Sequence, residues 1–120
     1  MEIKHRIWIE HKGYPIIGEG RMELLKAVER FGSLNRASKE LGLSFRAAWG
    51  KIKSIEQRLG IKVLVGKTGG AGGGGSRLTS FGKELLNKFE ALNNEAEEEL
   101  KKIFTKHFPH ELPVQNIQKS

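Results

Sequence analysis

Arg46, Gly50, Lys53 and Gln57 follow one another at spacings of four, three and four. On a 3.6-residue period they fall within about 40° of the direction opposite Ala48, so a helix through this stretch shows them all on one side. Long cations reach phosphate oxygens or the edge of guanine, and glutamine can both donate to and accept from adenine. Small residues let a helix enter a groove about 12 Å wide. Ser44, Ala47 and Ser54 flank that side, and Lys51 adds a further cation. A merely solvated helix face would carry glutamate as well, and Glu56 lies off this one. Gly50 costs about 1 kcal/mol in a helix interior, which a close approach to a nucleic-acid backbone would explain. Phe45 and Trp49 stand at the border between the two faces, a placement that suits packing against a core or hairpin better than contact with bases.

Other chemistry is thin. A glycine tract, TGGAGGGGSRLT, runs from Thr68 to Thr79 beside Lys67. It does not make a phosphate-binding loop, because five residues, Ile61 to Val65, separate Gly60 from Gly66 where that motif allows four. Gly70, Gly72 and Gly75 satisfy a G-x-G-x-x-G pattern only as any run this rich in glycine would, and no strand-helix-strand unit surrounds them. The four histidines are scattered, no carboxylate pair stands in a catalytic context, and there is no cysteine for a disulfide or thiolate metal site. An enzyme is not expected, nor a cofactor or a metal.

The charge agrees with the exposed cations. The chain has 120 residues and a formal charge of +7. Residues 33 to 83 hold 10 basic and 2 acidic side chains, residues 1 to 32 hold 6 and 5, and residues 84 to 120 hold 5 and 7. The middle segment therefore carries +8, more than the whole excess. A surface facing a polyanion explains this better than uniform solvation, which mixes the signs. No apolar run approaches the roughly 18–20 residues that span a bilayer, and no signal peptide opens the chain. A cytoplasmic protein with no membrane partner is expected.

The elements that must position these residues can be read in order. Ile3, Ile7, Trp8 and Ile9, the turn Lys12-Gly13, and then Tyr14, Ile16 and Ile17 read as a hairpin of two strands. From Arg21 the period becomes helical through Met22, Leu24, Leu25, Val28 and Phe31, and Gly32 stops it. Ser33 caps a second helix marked by Leu34, Ala37 and Leu41. Ser44 caps a third, whose buried stripe is Ala48, Ile52, Ile55 and Leu59. Two short helices joined by a tight glycine turn form a helix-turn-helix. A strand at 62 to 65, the glycine tip and a strand at 76 to 79 then make a wing. Thr79 caps a last helix reaching about Lys106. Leu86, Phe89, Asn93, Ala96, Leu100 and Ile103 alternate spacings of three and four along it, the seam pattern of paired helices, and Leu92 borders the same side. Pro109 and Pro113 end the pattern, and a loosely ordered tail is expected from 108 to 120.

Several of these stretches look familiar together. Phe31-Gly32-Ser33-Leu34, Ala37-Ser38, Leu41-Gly42-Leu43-Ser44, Ala48-Trp49 and TGGAGGGGSRLTSFG from Thr68 to Gly82 resemble the amino-terminal domain of the ModE family of molybdate-responsive regulators, related in turn to LysR-type regulators. The likeness covers about residues 18 to 106. It implies that the second helix of the motif enters the major groove, the wing touches the adjacent backbone or minor groove, and the long last helix forms a two-fold dimer. It places Ser44, Phe45, Arg46, Gly50 and Lys53 in the groove and Lys67 and Arg77 on the wing. Full-length members of that family continue into molybdate-binding domains whose oxyanion ligands have no counterpart here, so direct molybdate sensing by these residues is not expected.

The fold class expected is α+β, mostly α: a winged helix-turn-helix at 1–78 with an N-terminal β-hairpin, and a dimerisation helix at 79–107. The function expected is binding of double-stranded DNA by a homodimeric transcription regulator. Ser33, Ser44, Phe45, Arg46, Ala47, Gly50, Lys51, Lys53, Ser54, Lys67, Thr68 and Arg77 would face DNA, and Leu86, Phe89, Leu92, Asn93, Ala96, Leu100 and Ile103 the second copy. The alternatives are a protein-interaction module pairing with a separate effector or sensor protein, and a non-specific DNA architectural protein.

Overall fold

Three hydroxyls start three of the four helices among the described residues. In a computed structural model describing residues 1–66 and 75–115, Ser33 Oγ accepts from the N–H of Arg36, Ser44 Oγ from Ala47, and Thr79 Oγ1 from Gly82, each at 3.0 Å. The helices they open are α2 (Leu34–Glu40), α3 (Phe45–Leu59) and α4 (Ser80–His107). The first helix, α1 (Glu19–Phe31), begins two residues earlier than the apolar period implies, and Gly18 at its N-cap offers no side-chain oxygen. Gly32 and Gly60 end α1 and α3 at φ +74° and +69°, in the left-handed region where glycine meets no Cβ penalty.

Two antiparallel hairpins complete the fold. Strands β1 (Trp8–His11) and β2 (Tyr14–Gly18) form the first, with an irregular register between Ile9 and Glu10. Strands β3 (Leu64–Gly66) and β4 (Ser76–Leu78) form the wing. The wing strands are shorter than the sequence implies. The N–H groups of Val63 and Leu64 are taken by a side chain, Glu56 Oε2, at 2.9 and 3.3 Å. Opposite Val63, Thr79 still donates its N–H to Val63 O at 3.0 Å, but its hydroxyl turns away to cap α4 and to donate to Lys62 O at 2.7 Å. Ile3 and Ile7 likewise precede β1 and do not belong to it. The wing is fastened to the body where Ser76 N donates to Gly32 O at 2.8 Å.

The core lies where these elements meet. Ile17 from β2, Leu24, Leu25 and Val28 from α1, Ile52 and Ile55 from α3, Val63 before β3, and Leu86 and Phe89 from α4 are all fully buried. Each such side chain removed from water contributes about 1.5–3 kcal/mol, and together they fix α3 with its Ala48 stripe inward. Gly82 makes the α4 contact possible, because a Cβ there would overlap the Val63 carbonyl.

That packing corrects the seam. Leu86 and Phe89, two of the positions expected at a second copy, lie inside this chain's own core. Asn93 is also engaged within the chain, its Oδ1 lying 3.2 Å from His5 Nε2. The chain's first residues also meet the segment after α4, where Met1 Sδ accepts from Leu112 N and the amino terminus pairs with Glu111 at 3.5 Å. Beyond Glu90 no residue of α4 is buried, and Leu92 and Ile103 are about half exposed. None of the helices among the described residues is long and apolar enough to cross a membrane.

Candidate nucleic-acid interface

With Ala48, Ile52 and Ile55 turned into the core, α3 presents Arg46, Ala47, Gly50 and Gln57 to solvent. Among the described residues nothing lies within 4 Å of the place a Gly50 Cβ would occupy, so none of them requires glycine there. Ser33 and Ser44 stand at the N-termini of α2 and α3, where their hydroxyls already serve the helix ends. Ser54 is half-buried and committed inward, donating to Lys51 O at 2.8 Å and accepting from Arg21 at 3.1 Å. Lys51 is half-buried, while Arg77 on β4 is exposed. Lys67 and Thr68 lie outside the described residues.

Phe45 and Trp49 depart from the core or hairpin packing that their position on the helix suggests, although the family resemblance sets Phe45 among the groove residues. Neither packs into the core or under a hairpin; they are 50% and 49% exposed. One turn apart on α3, they extend the outer face on its wing side, and the Lys53 ammonium lies over the Trp49 ring at 5.2 Å. Exposed aromatics beside cations are the composition that stacks on or wedges against nucleic-acid components.

Glu56 is the residue whose importance sequence reasoning missed. Its carboxylate is 7% exposed and accepts from Val63 N, Leu64 N and, at 3.1 Å, the Lys53 ammonium, with Lys62 at 3.9 Å. Burial alone would push this carboxyl up, but the two backbone donors and Lys53 outweigh it and hold the group below its ordinary value. The hydrogen bond that Lys53 donates to Glu56 correspondingly raises Lys53. One side chain thus joins α3 to the start of the wing and orients a cation of the outer face. Its rarity was the available signal, since only Glu40 and Glu56 are acidic between residues 33 and 83.

Elsewhere on this side the cations are left unneutralised. Among the described residues, Arg36, Arg46, Lys51, Arg58 and Arg77 have no carboxylate within 4 Å. Arg30 and Arg36 instead lie over the Phe31 ring, at 5.3 and 5.5 Å from its centroid. Ion pairs gather on α4 and its contact with α1, as with Lys26–Glu90 at 3.2 Å and Lys88–Glu84 at 2.7 Å. The positive potential of the middle segment is therefore expressed around α3 and the wing, and mobile anions or a polyanion must balance it.

Comparison with known proteins follows the same outline. Residues 20–83 match the bacterial regulatory helix-turn-helix proteins of the lysR family. The chain is 36% identical over 87 residues to the molybdenum transport protein ModE of Azotobacter vinelandii, covering 72% of this chain and 32% of that protein. It is 38% identical over 73 residues to the DNA-binding transcriptional dual regulator ModE of Escherichia coli (strain K12), covering 60% and 28%. The molybdenum-pterin-binding protein MopB of Rhodobacter capsulatus is 37% identical over 76 residues, covering 63% and 28%. The chain thus spans about a third of the length of these relatives, and the resemblance to ModE read from its motifs holds over that part. Among solved structures, full-length CbnR complexed with its target DNA superimposes with a TM-score of 0.57 at 20% identity, over 72% of this chain and 28% of that one. The complex of the CbnR DBD with DNA gives 0.56 at 19%, over 73% and 95%. At such identities the likeness shows the winged-helix fold.

Proposed function

Since the chain belongs to the lysR family of bacterial regulatory helix-turn-helix proteins, we propose that it binds duplex DNA as a homodimeric transcription regulator in the cytoplasm, with α3 in the major groove. The observation that carries this reading is the outer face of α3 and its surroundings, where Arg46, Lys51 and Arg58 stand without carboxylate partners among the described residues. Arg46 at the exposed N-terminal turn contacts a base edge or phosphate, Gly50 lets the helix sit close, and Lys53, steadied by Glu56, serves the adjoining backbone. Phe45 and Trp49 line the groove wall on the wing side. Arg77 meets the neighbouring phosphates from β4.

The second copy docks along the outer part of α4, through Leu92, Ala96, Leu100 and Ile103. Support comes from the exposure of Leu92 and Ile103 at 46% and 49% on a helix that leaves its own domain behind. A two-fold pair of α3 helices then addresses two half-sites about 34–36 Å apart. The proposal is tested by gel-shift titration of genomic fragments across a salt series. Binding that weakens steeply with salt and prefers some fragments over random DNA is the expected result. Absence of salt-dependent binding would sink the reading, and equal affinity for all fragments would replace it with an architectural role.

A further inference from the structure

The β1–β2 hairpin occupies residues 8 to 18, before the segment that matches the lysR family at 20–83. Its base is anchored, because Ile16 and Ile17 are buried in the core. Its outer half stands clear: every residue of β1, and Tyr14 and Pro15 of β2, is exposed. What holds that half against the body is α3. Arg58 donates to the Pro15 carbonyl, and its guanidinium lies 5.6 Å from the centre of the Tyr14 ring.

The side of α3 that the hairpin takes is informative. Glu56, which binds the wing, and Arg58, which binds the hairpin, are two residues apart and point about 200° apart around the helix axis. The wing therefore flanks α3 on one side and the hairpin flanks it on the other. A helix with its side chains is about 10–12 Å wide and fills a major groove about 12 Å wide. Elements on its two flanks face the two phosphate backbones that border the groove.

The turn itself carries a second observation. His11 pairs with Tyr14 across the two-residue loop Lys12-Gly13, and both loop residues have positive φ, +51° and +83°. This turn favours Asn or Asp at its first position, and lysine there is held in a left-handed conformation that a side chain with a Cβ rarely adopts. The chain thus keeps an exposed cation at the tip where a neutral or acidic residue would fit the backbone better. Among the described residues neither Lys12 nor Arg58 has a carboxylate within 4 Å.

We infer that the β1–β2 hairpin is a second wing, whose Lys12 tip and Arg58 base contact the phosphate backbone of duplex DNA on the side of the recognition helix opposite the β3–β4 wing. The inference rests on α3 lying in a major groove, as proposed above. It extends the footprint by backbone contacts that carry no base information, and so strengthens binding to all sequences together.

Lys12→Asn tests it cleanly, since asparagine suits the left-handed turn and removes only the charge. Binding of one retained genomic fragment is measured from 50 to 200 mM salt, with Arg46→Ala as a comparison. K12N is expected to weaken binding about 5- to 10-fold near 0.1 M salt and to reduce the log-log salt slope by about 0.9, the value for one phosphate contact. Its melting temperature stays equal or rises, and K12R restores the slope. Two outcomes overturn the second wing while leaving the groove reading intact: K12N binding with wild-type affinity and slope where R46A is impaired, or K12N altering self-association in sedimentation without moving the slope, which would make the hairpin a protein contact. Wild-type protein that shows no salt-dependent binding would overturn both.

Discussion

Arg46 and Glu56 act on the same surface by opposite means, one by exposure and the other by burial. Among the described residues Arg46 is exposed and has no carboxylate partner, so Arg46→Ala is expected to weaken specific DNA binding by about 1–3 kcal/mol and to leave thermal unfolding unchanged. Gel-shift and melting curves on the same preparation check both halves. A melting loss as large as the binding loss would reassign the residue to stability. Glu56→Gln removes the charge on which three donors converge, with the Lys62 ammonium 3.9 Å away, and is expected to destabilise the fold by about 1–3 kcal/mol at neutral pH. Because the folded carboxyl is held below its ordinary value, its contribution is complete above the unfolded pKa of about 4.3 and fades as pH falls through the folded value. Urea unfolding at pH 7 and near pH 3 should therefore show the gap between wild type and variant closing in acid; a gap that persists would refute the linkage. Arg46, Gly50 and Gln57 were legible in the sequence because helical period alone decides which way they point once Ala48, Ile52 and Ile55 turn inward. The partners of Glu56 were not, because they are backbone N–H groups beyond a turn that no periodicity describes. Phe45 and Trp49 were misplaced for a related reason: an angle at the border of a helix face does not say whether a neighbouring element arrives to cover it.

Element boundaries followed from capping chemistry where a hydroxyl or a glycine sat at the end, and drifted where a tertiary contact intervened. Ser33, Ser44, Thr79, Gly32 and Gly60 mark helix ends in the sequence and serve as such in the structure. The wing strands shortened because Glu56 and Thr79 claim the flanking backbone groups, a competition between a side chain and a ladder that lies beyond local pattern. The junction of wing and α4 is the place where this matters most for function, since it holds β3 and β4 beside α3. Thr79→Ala removes the N-cap of α4 and the bond to Lys62 O together, and is expected to lower stability by about 1–2 kcal/mol. Gly82→Ala is a sharper case. Alanine is favoured over glycine in a helix interior by about 1 kcal/mol, yet here its Cβ would overlap the Val63 carbonyl and push α4 off the strand. The clash should win, with a net loss of about 1–3 kcal/mol in urea titration. A stabilised G82A protein would mean that α4 does not seat against Val63 as described.

The described residues extend 61 Å along the longest axis and 24 Å along the shortest, and α4 is the longest element among them. A helix of 28 residues is about 42 Å long, and only its first three turns, through Leu86 and Phe89, belong to the domain core. The alternation of three and four that reads as a pairing seam continues without a break from core to arm, so the sequence alone could not divide it between the two uses. Leu86 and Phe89 went to the core because α1 and β4 cover that end, while Leu92 and Ile103 remain about half exposed. An apolar stripe between the charged faces of Glu95, Glu97, Glu98 and Glu99 is too narrow to fold an isolated chain and wide enough to meet its own copy. Leu92→Lys and Ile103→Lys together are therefore expected to convert a dimer into a monomer in sedimentation equilibrium without lowering the melting of the winged domain. Loss of pairing should also weaken binding to a fragment with two half-sites far more than to one with a single half-site, because linked sites share one association step. If the double variant stays dimeric, the second copy docks elsewhere and the outer turns of α4 serve a different partner. If it becomes monomeric but binds two half-sites as tightly as wild type, the two recognition helices are not coupled through α4, and each domain reads DNA on its own.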